Sequence, residues 1–433
     1  MVISYAYMNQ KEGCLMITEI RAQNCYAFNE KIVFSLKADM RNKRLADNVA
    51  VVGNFNVLKT AGIYGANNAG KTNLIKCILA IWNVLVNRGF VANRNMFSND
   101  PVVSLGITFL FEGREFSYNF KYDTNKNEYI FEEFQEIIKD TYGNERHETW
   151  LLKDIVNNEF KSLDDRMEAM IGVVARNNIL MYLVDTKQFQ HMDEMKRVLT
   201  GLALKIDIID LNNIPIGKTI ELLKTGNPLT QKVVNFIKNA DLYMDNYFFA
   251  SPSQFKIETS IDGKQPQENV LNIPDQLEEQ IRLTSVYKGV AVPSLLFDST
   301  GTKKIAALAS YIIEALETGR ILIIDELDSS IHFKLTRAIV AMFNNALNDK
   351  AQLIFTVHDV NLMDCKKLFR KEQIWFVSKD NDGVYVYSLA DFTAQDGVRE
   401  TTDVIDKYRK GALGALPEPE LINSLLEIKE DRS

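Results

Sequence analysis

The sequence predicts an α/β protein: a wound, mostly parallel sheet, joined to an N-terminal antiparallel β subdomain and interrupted by a mainly helical insertion. Three observations predict it. Residues 56–86 read as an apolar strand, a glycine-rich loop and a strongly apolar helix. Ile321-Leu322-Ile323-Ile324-Asp325-Glu326 is an aliphatic run closed by two acids, the pattern of a strand covered on both faces. From about residue 281 onward helical and strand patterns alternate, as they do where crossover helices join parallel strands.

The elements follow in order. Residues 1–15 look like a loose extension, and Met16 opens a cleaner strand pattern and could itself be the initiator. ITEIRAQNCYAF and EKIVFSL alternate apolar and polar residues, as half-buried strands do. VVSLGITFLFEG, REFSYNFKYD and KNEYIFEEFQEIIK form a predicted meander, with turn signals at EGRE and DTNKN. From about residue 140, Met, Asn and charged residues rise, and helical periods appear in DDRMEAMIGVVARNNILMYLV and QKVVNFIKNADLYM. Tyr243, Tyr247, Phe248 and Phe249 are read there as a core cluster rather than a contact patch. SSIHFKLTRAIVAMFNNAL is then a helix, and QLIFTVHD, QIWFVSKD and GVYVYSLAD are strands. The expected divisions are an N-terminal lobe at 16–139, the helical insertion at 140–275, a C-terminal lobe at 276–410 and a tail at 411–433.

Composition narrows the classes. The 433 residues are 46% hydrophobic and 25% charged, which is ordinary for a globular protein and enough chain for two or three units. A net charge of -7 does not suit a surface built for non-specific nucleic-acid binding. The basic runs RNKR (Arg41–Arg44) and KKLFRK (Lys366–Lys371) are read as solvated faces. Cysteines at 14, 25, 77 and 365 have no metal or redox spacing, which fits a reducing cytoplasm. The apolar run after Cys77 is far below the ~18 residues of a spanning helix, so no membrane association is expected.

Three short stretches carry chemistry. Gly65-Ala-Asn-Asn-Ala-Gly-Lys-Thr72 matches G-x-x-x-x-G-K-[ST] between a strand and a helix. Gly65 and Gly70 allow a tight turn whose N–H groups point at phosphate oxygens, and the helix opening at Lys71 aims its positive end at the same anion. Lys71 would reach the β- and γ-phosphates of a nucleoside triphosphate such as ATP, and Thr72 would place a hydroxyl on Mg²⁺. Asn67, Asn68, Ala69 and Asn73 complete the candidate nucleotide-binding set. Asp325 should emerge at the carboxyl end of its strand and hold Mg²⁺, with Glu326 orienting the attacking water as general base. A plain helix-capping acid pair is the other reading of that dipeptide. His358 ends the next strand, so it should lie beside Glu326 and could sense the γ-phosphate. His147, His191 and His332 have no such setting, and His332, in the helix after the acidic motif, is read as structural.

With these residues in hand, the chain resembles the ABC-type, SMC-like ATPases grouped as AAA-family ATP-binding proteins. These include OLD-like ATPase subunits of bacterial abortive-infection, PARIS-like and retron- or Septu-associated anti-phage systems. The matching pieces are Asn24 and Phe28 in NCYAF, IYGANNAGKTNL, DSTGTKK, LIIDELDSSIH, FTVHD and QIWFVSKD. The resemblance implies an ABC-type ATPase head that binds ATP and Mg²⁺ and pairs head to tail with a second copy. Ser299, Gly301 and Thr302 would then cap the ATP of the facing copy, and Asp328 would lie at the subunit contact. An ordinary N-cap turn remains the alternative for DSTGT. The departures are informative. The signature is not LSGGQ, which argues against transporter-type coupling. Cys25 and Tyr26 replace the common Phe-Arg, and the only candidate for a Q-loop is the stretch EEFQE at 132–136. The insertion has no long heptad pattern, which argues against a DNA-spanning arm. The resulting expectation is a slow ATPase subunit of an anti-phage complex, controlling a separately encoded nuclease or toxin. About 50 residues follow the last predicted strand, too few for a nuclease domain of the chain's own. A RecF/SMC-like repair ATPase and a nucleotide-gated scaffold with little hydrolysis are the alternatives.

Overall fold

The computed structural model describes residues 14–416 except 141–142, 211–212, 215, 241–242, 252–274, 382 and 399–401. The tail beyond 416 and part of the predicted insertion therefore lie outside the described residues.

The chain opens with β1 (Met16–Gln23), β2 (Ile32–Ser35) and the hairpin β3 (Val49–Val52) and β4 (Phe55–Leu58). β5 (Thr60–Tyr64) leads through the glycine-rich loop into α1 (Lys71–Leu85). A meander follows: β6 (Val102–Phe111), β7 (Arg114–Asp123), β8 (Glu128–Lys139), β9 (Glu145–Asp154) and β10 (Glu159–Ser162). Next come α2 (Asp165–Ile171), α3 (Leu180–Leu183), α4 (Gln190–Lys205), β11 (Ile206–Asp210), α5 (Gly217–Thr225), α6 (Thr230–Asn239) and β12 (Asn246–Phe249). α7 (Asp275–Ile281), β13 (Leu283–Tyr287), β14 (Val290–Pro293) and α8 (Ser294–Phe297) precede the long α9 (Thr300–Thr318). The chain then runs through β15 (Ile321–Asp325), α10 (Phe333–Phe343), β16 (Gln352–Thr356), β17 (Ile374–Lys379), β18 (Val384–Ser388) and α11 (Val404–Arg409).

Two sheets dominate. One is antiparallel, in the order β10-β9-β8-β7-β6-β1-β2, and the other is β11-β15-β16-β5-β17-β18, parallel except for the β17–β18 edge. The aliphatic runs explain the second sheet. Ile321, Ile323 and Ile354 enter the core shared with α1, α4 and the antiparallel sheet, while Leu322, Ile324, Leu353 and Phe355 enter the core beneath α9, α10 and α11. Alternate residues thus face two apolar layers, as expected of parallel strands.

The expected boundary at 140 falls inside the antiparallel sheet, which continues through β9 and β10 to Ser162. β11, from the predicted insertion, pairs in parallel with β15 and belongs to the main sheet. Within the same stretch Tyr247 is buried, whereas Tyr243 is exposed. KKLFRK is not wholly a solvated face either. Arg370 is buried and donates to the carbonyls of Asp39, Asn42 and Arg44, which ties the two basic runs together. EEFQE lies on β8. Glu132 shares the inward face with Phe134 and opposes the buried Lys153, while Gln135 donates to Glu133 and Thr149 on the meander itself. That setting does not suit a Q-loop.

The two sheets are stitched by one side chain. Gln352, fully buried at the start of β16, accepts from the Ile17 N–H at 2.9 Å and donates to the carbonyls of Ile17 (2.9 Å) and Leu58 (3.0 Å). It acts as an inserted peptide unit where β1 bulges between Ile17 and Glu19. Gln352→Leu keeps the volume but strips these partners, so it should lower unfolding free energy by about 2–4 kcal/mol. Urea denaturation checks this, and a change below about 1 kcal/mol would contradict the bridging role.

Candidate functional site

The parallel register brings the predicted residues to one edge. β5 ends at Tyr64, β15 at Asp325 and β16 at Thr356, with β16 between the other two. Their carboxyl ends deliver the glycine-rich loop, the two acids and His358 to one place, where ligands of open α/β sheets bind.

The loop is built for close backbone approach. Gly65 has φ +151° and Gly70 φ +118°, and a Cβ at Gly65 would overlap the Val377 carbonyl oxygen on β17. A Cβ at Gly70 would come within 3.6 Å of the Ala27 methyl, so the NCYAF turn closes directly on the loop. That turn is itself fixed by Asn24 at φ +52°, whose side chain donates to the carbonyls of Asp100 and Val102, and by the buried Phe28. Gly70 caps α1 without a side chain, so the first N–H groups of the helix meet no side-chain acceptor from the cap. Ala69 is buried, whereas Asn67, Asn68 and Thr72 are exposed and Asn73 is half-buried.

Lys71 lies in the cradle, 6% exposed, and its Nζ donates to the carbonyls of Gly65 (2.7 Å) and Ala66 (3.0 Å). Burial pulls its pKa below the ordinary lysine range, opposed by the carboxylates of Glu326, Asp325 and Asp328.

Thr356 organises the acids, and sequence reasoning missed it. Its hydroxyl donates to Asp325 Oδ1 at 2.6 Å and accepts the Glu326 N–H at 2.7 Å. Glu326 sits at φ +57°, a left-handed conformation that costs a non-glycine residue about 1–2 kcal/mol. Such strain concentrates where a side chain must be aimed. Glu326 Oε1 stands 3.7 Å from His358 Nε2, so the expected juxtaposition is present. Asp328 Oδ2 accepts the N–H groups of His358 (2.9 Å) and Asp359 (2.7 Å), which joins the loops after β15 and β16. In this chain Asp328 is therefore a half-buried internal strut. Among the described residues no cluster of three or more His, Cys, Asp or Glu could hold a metal. A cation here would rely on Thr72, Asp325, water and phosphate oxygens, a donor set that suits Mg²⁺.

The Ser299–Thr302 turn caps α9. Ser299 Oγ accepts the Thr302 N–H at 3.1 Å and lies 2.9 Å from Thr302 Oγ1. The turn packs on the loop after β15: a Cβ at Gly301 would stand 2.6 Å from the Ser330 carbonyl oxygen, and Lys304 Nζ donates to Ser329 O and Oγ at 3.2 and 3.1 Å. Gly301 is thus required by its own chain whatever it meets elsewhere. Asp298, read only as part of the turn, is buried. Of the other histidines, His147 meets Gln135, His191 meets Asp164, and His332 caps α10.

Residues 227–364 match the family described as "AAA domain, putative AbiEii toxin, Type IV TA system". The matched stretch holds Ser299, Gly301, Thr302, Asp325, Glu326 and His358, and the glycine-rich loop lies outside it. No curated protein matches the chain. Among solved structures, the SMC head domain from Thermotoga maritima is 11% identical, over 86% of this chain and 98% of that one, with a TM-score of 0.40. An SMC head bound to the C-winged helix domain of ScpA is 12% identical, over 88% and 99%, with a TM-score of 0.45. The Smc head with an extended coiled coil, bound to the C-terminal domain of ScpA from Pyrococcus furiosus, is 10% identical, over 91% and 100%, with a TM-score of 0.41. The fold is mixed α/β, with a G-x-x-x-x-G-K-T loop and two acids set at the carboxyl edge of its mainly parallel sheet, and its 227–364 stretch is similar to the AAA-domain family.

Thr356→Val keeps the shape of the side chain and removes the hydroxyl between Asp325 and Glu326. The expected result is a 10–100-fold weaker Mg²⁺-dependent affinity for a fluorescent ATP analogue, with the affinity in EDTA altered far less. Equal losses with and without Mg²⁺ would place Thr356 in general loop stability instead.

Proposed function

We propose that the chain is an ATP-binding and ATP-hydrolysing subunit of a bacterial anti-phage defence complex. It works through composite sites between two or more copies in the cytoplasm and controls a separately encoded nuclease or toxin. The observation that carries the reading is the convergence of Lys71, Asp325, Glu326 and His358 at one sheet edge, with Glu326 held in a strained conformation beside the histidine.

The roles follow from placement. Lys71 exchanges the carbonyls of Gly65 and Ala66 for the β- and γ-phosphates. Thr72 and Asp325 would hold Mg²⁺, which when bound neutralises charge on the transferring group. Glu326 accepts the proton of the attacking water, and His358 holds the γ-phosphate end of the site. Two facts support a composite site. Ser299 and the N-terminus of α9 are exposed, and among the described residues no hydrogen bond joins the Ser299–Thr302 turn to residues 65–72. On this reading the turn's hydroxyls and the helix N-terminus receive the ATP of the facing copy, since an exposed helix start with Ser and Thr is an anion site. The defence role is supported by the family match over 227–364. Four free cysteines fit a reducing compartment, and no helix among the described residues is long and apolar enough to cross a membrane.

Glu326→Gln should lower ATP turnover by about 10²–10⁴-fold while retaining ATP binding. In light scattering with Mg-ATP it should show at least a doubled mass, and adding Ser299→Arg should prevent that gain while ATP still binds. A mass that stays monomeric in Mg-ATP would remove the composite site, and unchanged turnover would remove Glu326 as base.

A further inference from the structure

We propose that Asp298 is the positioning residue of the Ser299–Thr302 turn, a buried carboxylate that fixes the turn through contacts separate from those to the loop after β15. This rests on the composite-site reading above.

Asp298 is 7% exposed, and both of its oxygens are taken by hydroxyls. Ser285 Oγ and Ser294 Oγ each donate to Oδ2 at 2.6 Å, and Tyr287 OH donates to Oδ1 at 2.8 Å. Tyr247 OH extends the set, 3.4 Å from Ser294 Oγ. The donors come from three elements: Ser285 and Tyr287 from β13, Ser294 from α8 and Tyr247 from β12. No Lys, Arg or His forms an ion pair with Asp298 among the described residues. A buried carboxylate without a cation is a costly way to gain stability alone, and a neutral residue of similar shape would avoid that cost. What the carboxylate offers is geometry. It accepts from three directions at once, which no neutral side chain of its size does.

Its place in the chain makes that geometry consequential. Asp298 directly precedes the N-cap Ser299, and its own N–H donates to Ser294 O at 3.0 Å. The N-terminus of the 19-residue α9 also favours an anion at this position. The turn is therefore clamped twice. The β12–β14 sheet holds it through Asp298, and Ser329 and Ser330 hold it through Lys304 and Gly301. Releasing the first clamp leaves the glycine-rich loop of the same chain untouched and frees the turn to drift. A displacement of about 1 Å in a group that positions a reacting phosphate costs up to about a hundredfold in rate.

The test compares Asp298→Asn with its parent, both in the full chain. ATP binding to the monomer, read with a fluorescent ATP analogue at low protein concentration, should stay within about twofold. In the Glu326→Gln background, Mg-ATP-dependent self-association should weaken by about 10–100-fold, and in the Glu326 background turnover should fall by a similar factor. Raising the protein concentration should restore part of that turnover, a response that general loss of fold would not give. Tyr287→Phe removes the single donor to Oδ1 and should weaken self-association several-fold at unchanged melting temperature, so it decides the matter if Asp298→Asn does not fold. Normal self-association and turnover in both variants would overturn the proposal while the composite-site reading stands. If the Glu326→Gln parent never associates with Mg-ATP, the composite-site reading fails first, and the role of Asp298 falls with it.

Discussion

The Thr356 hydroxyl holds level two strand ends that are separate in sequence. It ends the strand lying between the loop strand β5 and the acid strand β15, and it takes a proton-donating bond to one acid and a proton-accepting bond from the next residue. Asp325 is thereby aimed, and the Glu326 backbone is held in a conformation it would leave if free. His358 and Asp328 follow from the same strand end, since Asp328 takes its two N–H groups from the loop that Thr356 begins. The apolar layers on both faces of the sheet make this rigid, because neither strand can slip without driving Ile323, Ile324 or Phe355 out of a closed core.

Much of this was legible in the sequence, for physical reasons that can be named. Glycines at 65 and 70 mark a backbone that must turn where side chains cannot follow, and the aliphatic run before Asp325 can only be a doubly covered strand. The pairing of Glu326 with His358 followed from the order of strands. What escaped notice was long-range. β11 has too few residues to announce itself, and its partner β15 lies more than a hundred positions away. The extension of the antiparallel sheet past 140 left little trace in the sequence, because the start of β9 and much of β10 are exposed and polar and lack a clear apolar alternation. Thr356 looked like the last polar residue of an apolar strand, and Asp298 like a turn acid, since burial of a polar group is invisible until its partners are in place.

Polar groups inside the molecule recur at the seams between its parts. Gln352 joins the two sheets, Arg370 gathers the carbonyls of the 39–44 segment, and Asp298 binds the three-stranded sheet to α9. On the inner face of the meander, Glu132 accepts from Tyr118 and from the Leu180 N–H; burial raises its pKa and lowers that of the opposing Lys153. Each seam trades desolvation for direction, since a hydrogen-bonded polar group fixes one relative placement where apolar packing tolerates several.

Lys71 carries one further consequence. Its ammonium donates to two loop carbonyls of its own chain. A newcomer must therefore replace two good acceptors with better ones. Phosphate oxygens do so, whereas a neutral nucleoside, however well its base fits, offers the lysine nothing in exchange. On the proposed ATP-binding role, recognition at this edge would be a contest between acceptors, decided by charge at the polyphosphate end, with the identity of the base a secondary matter.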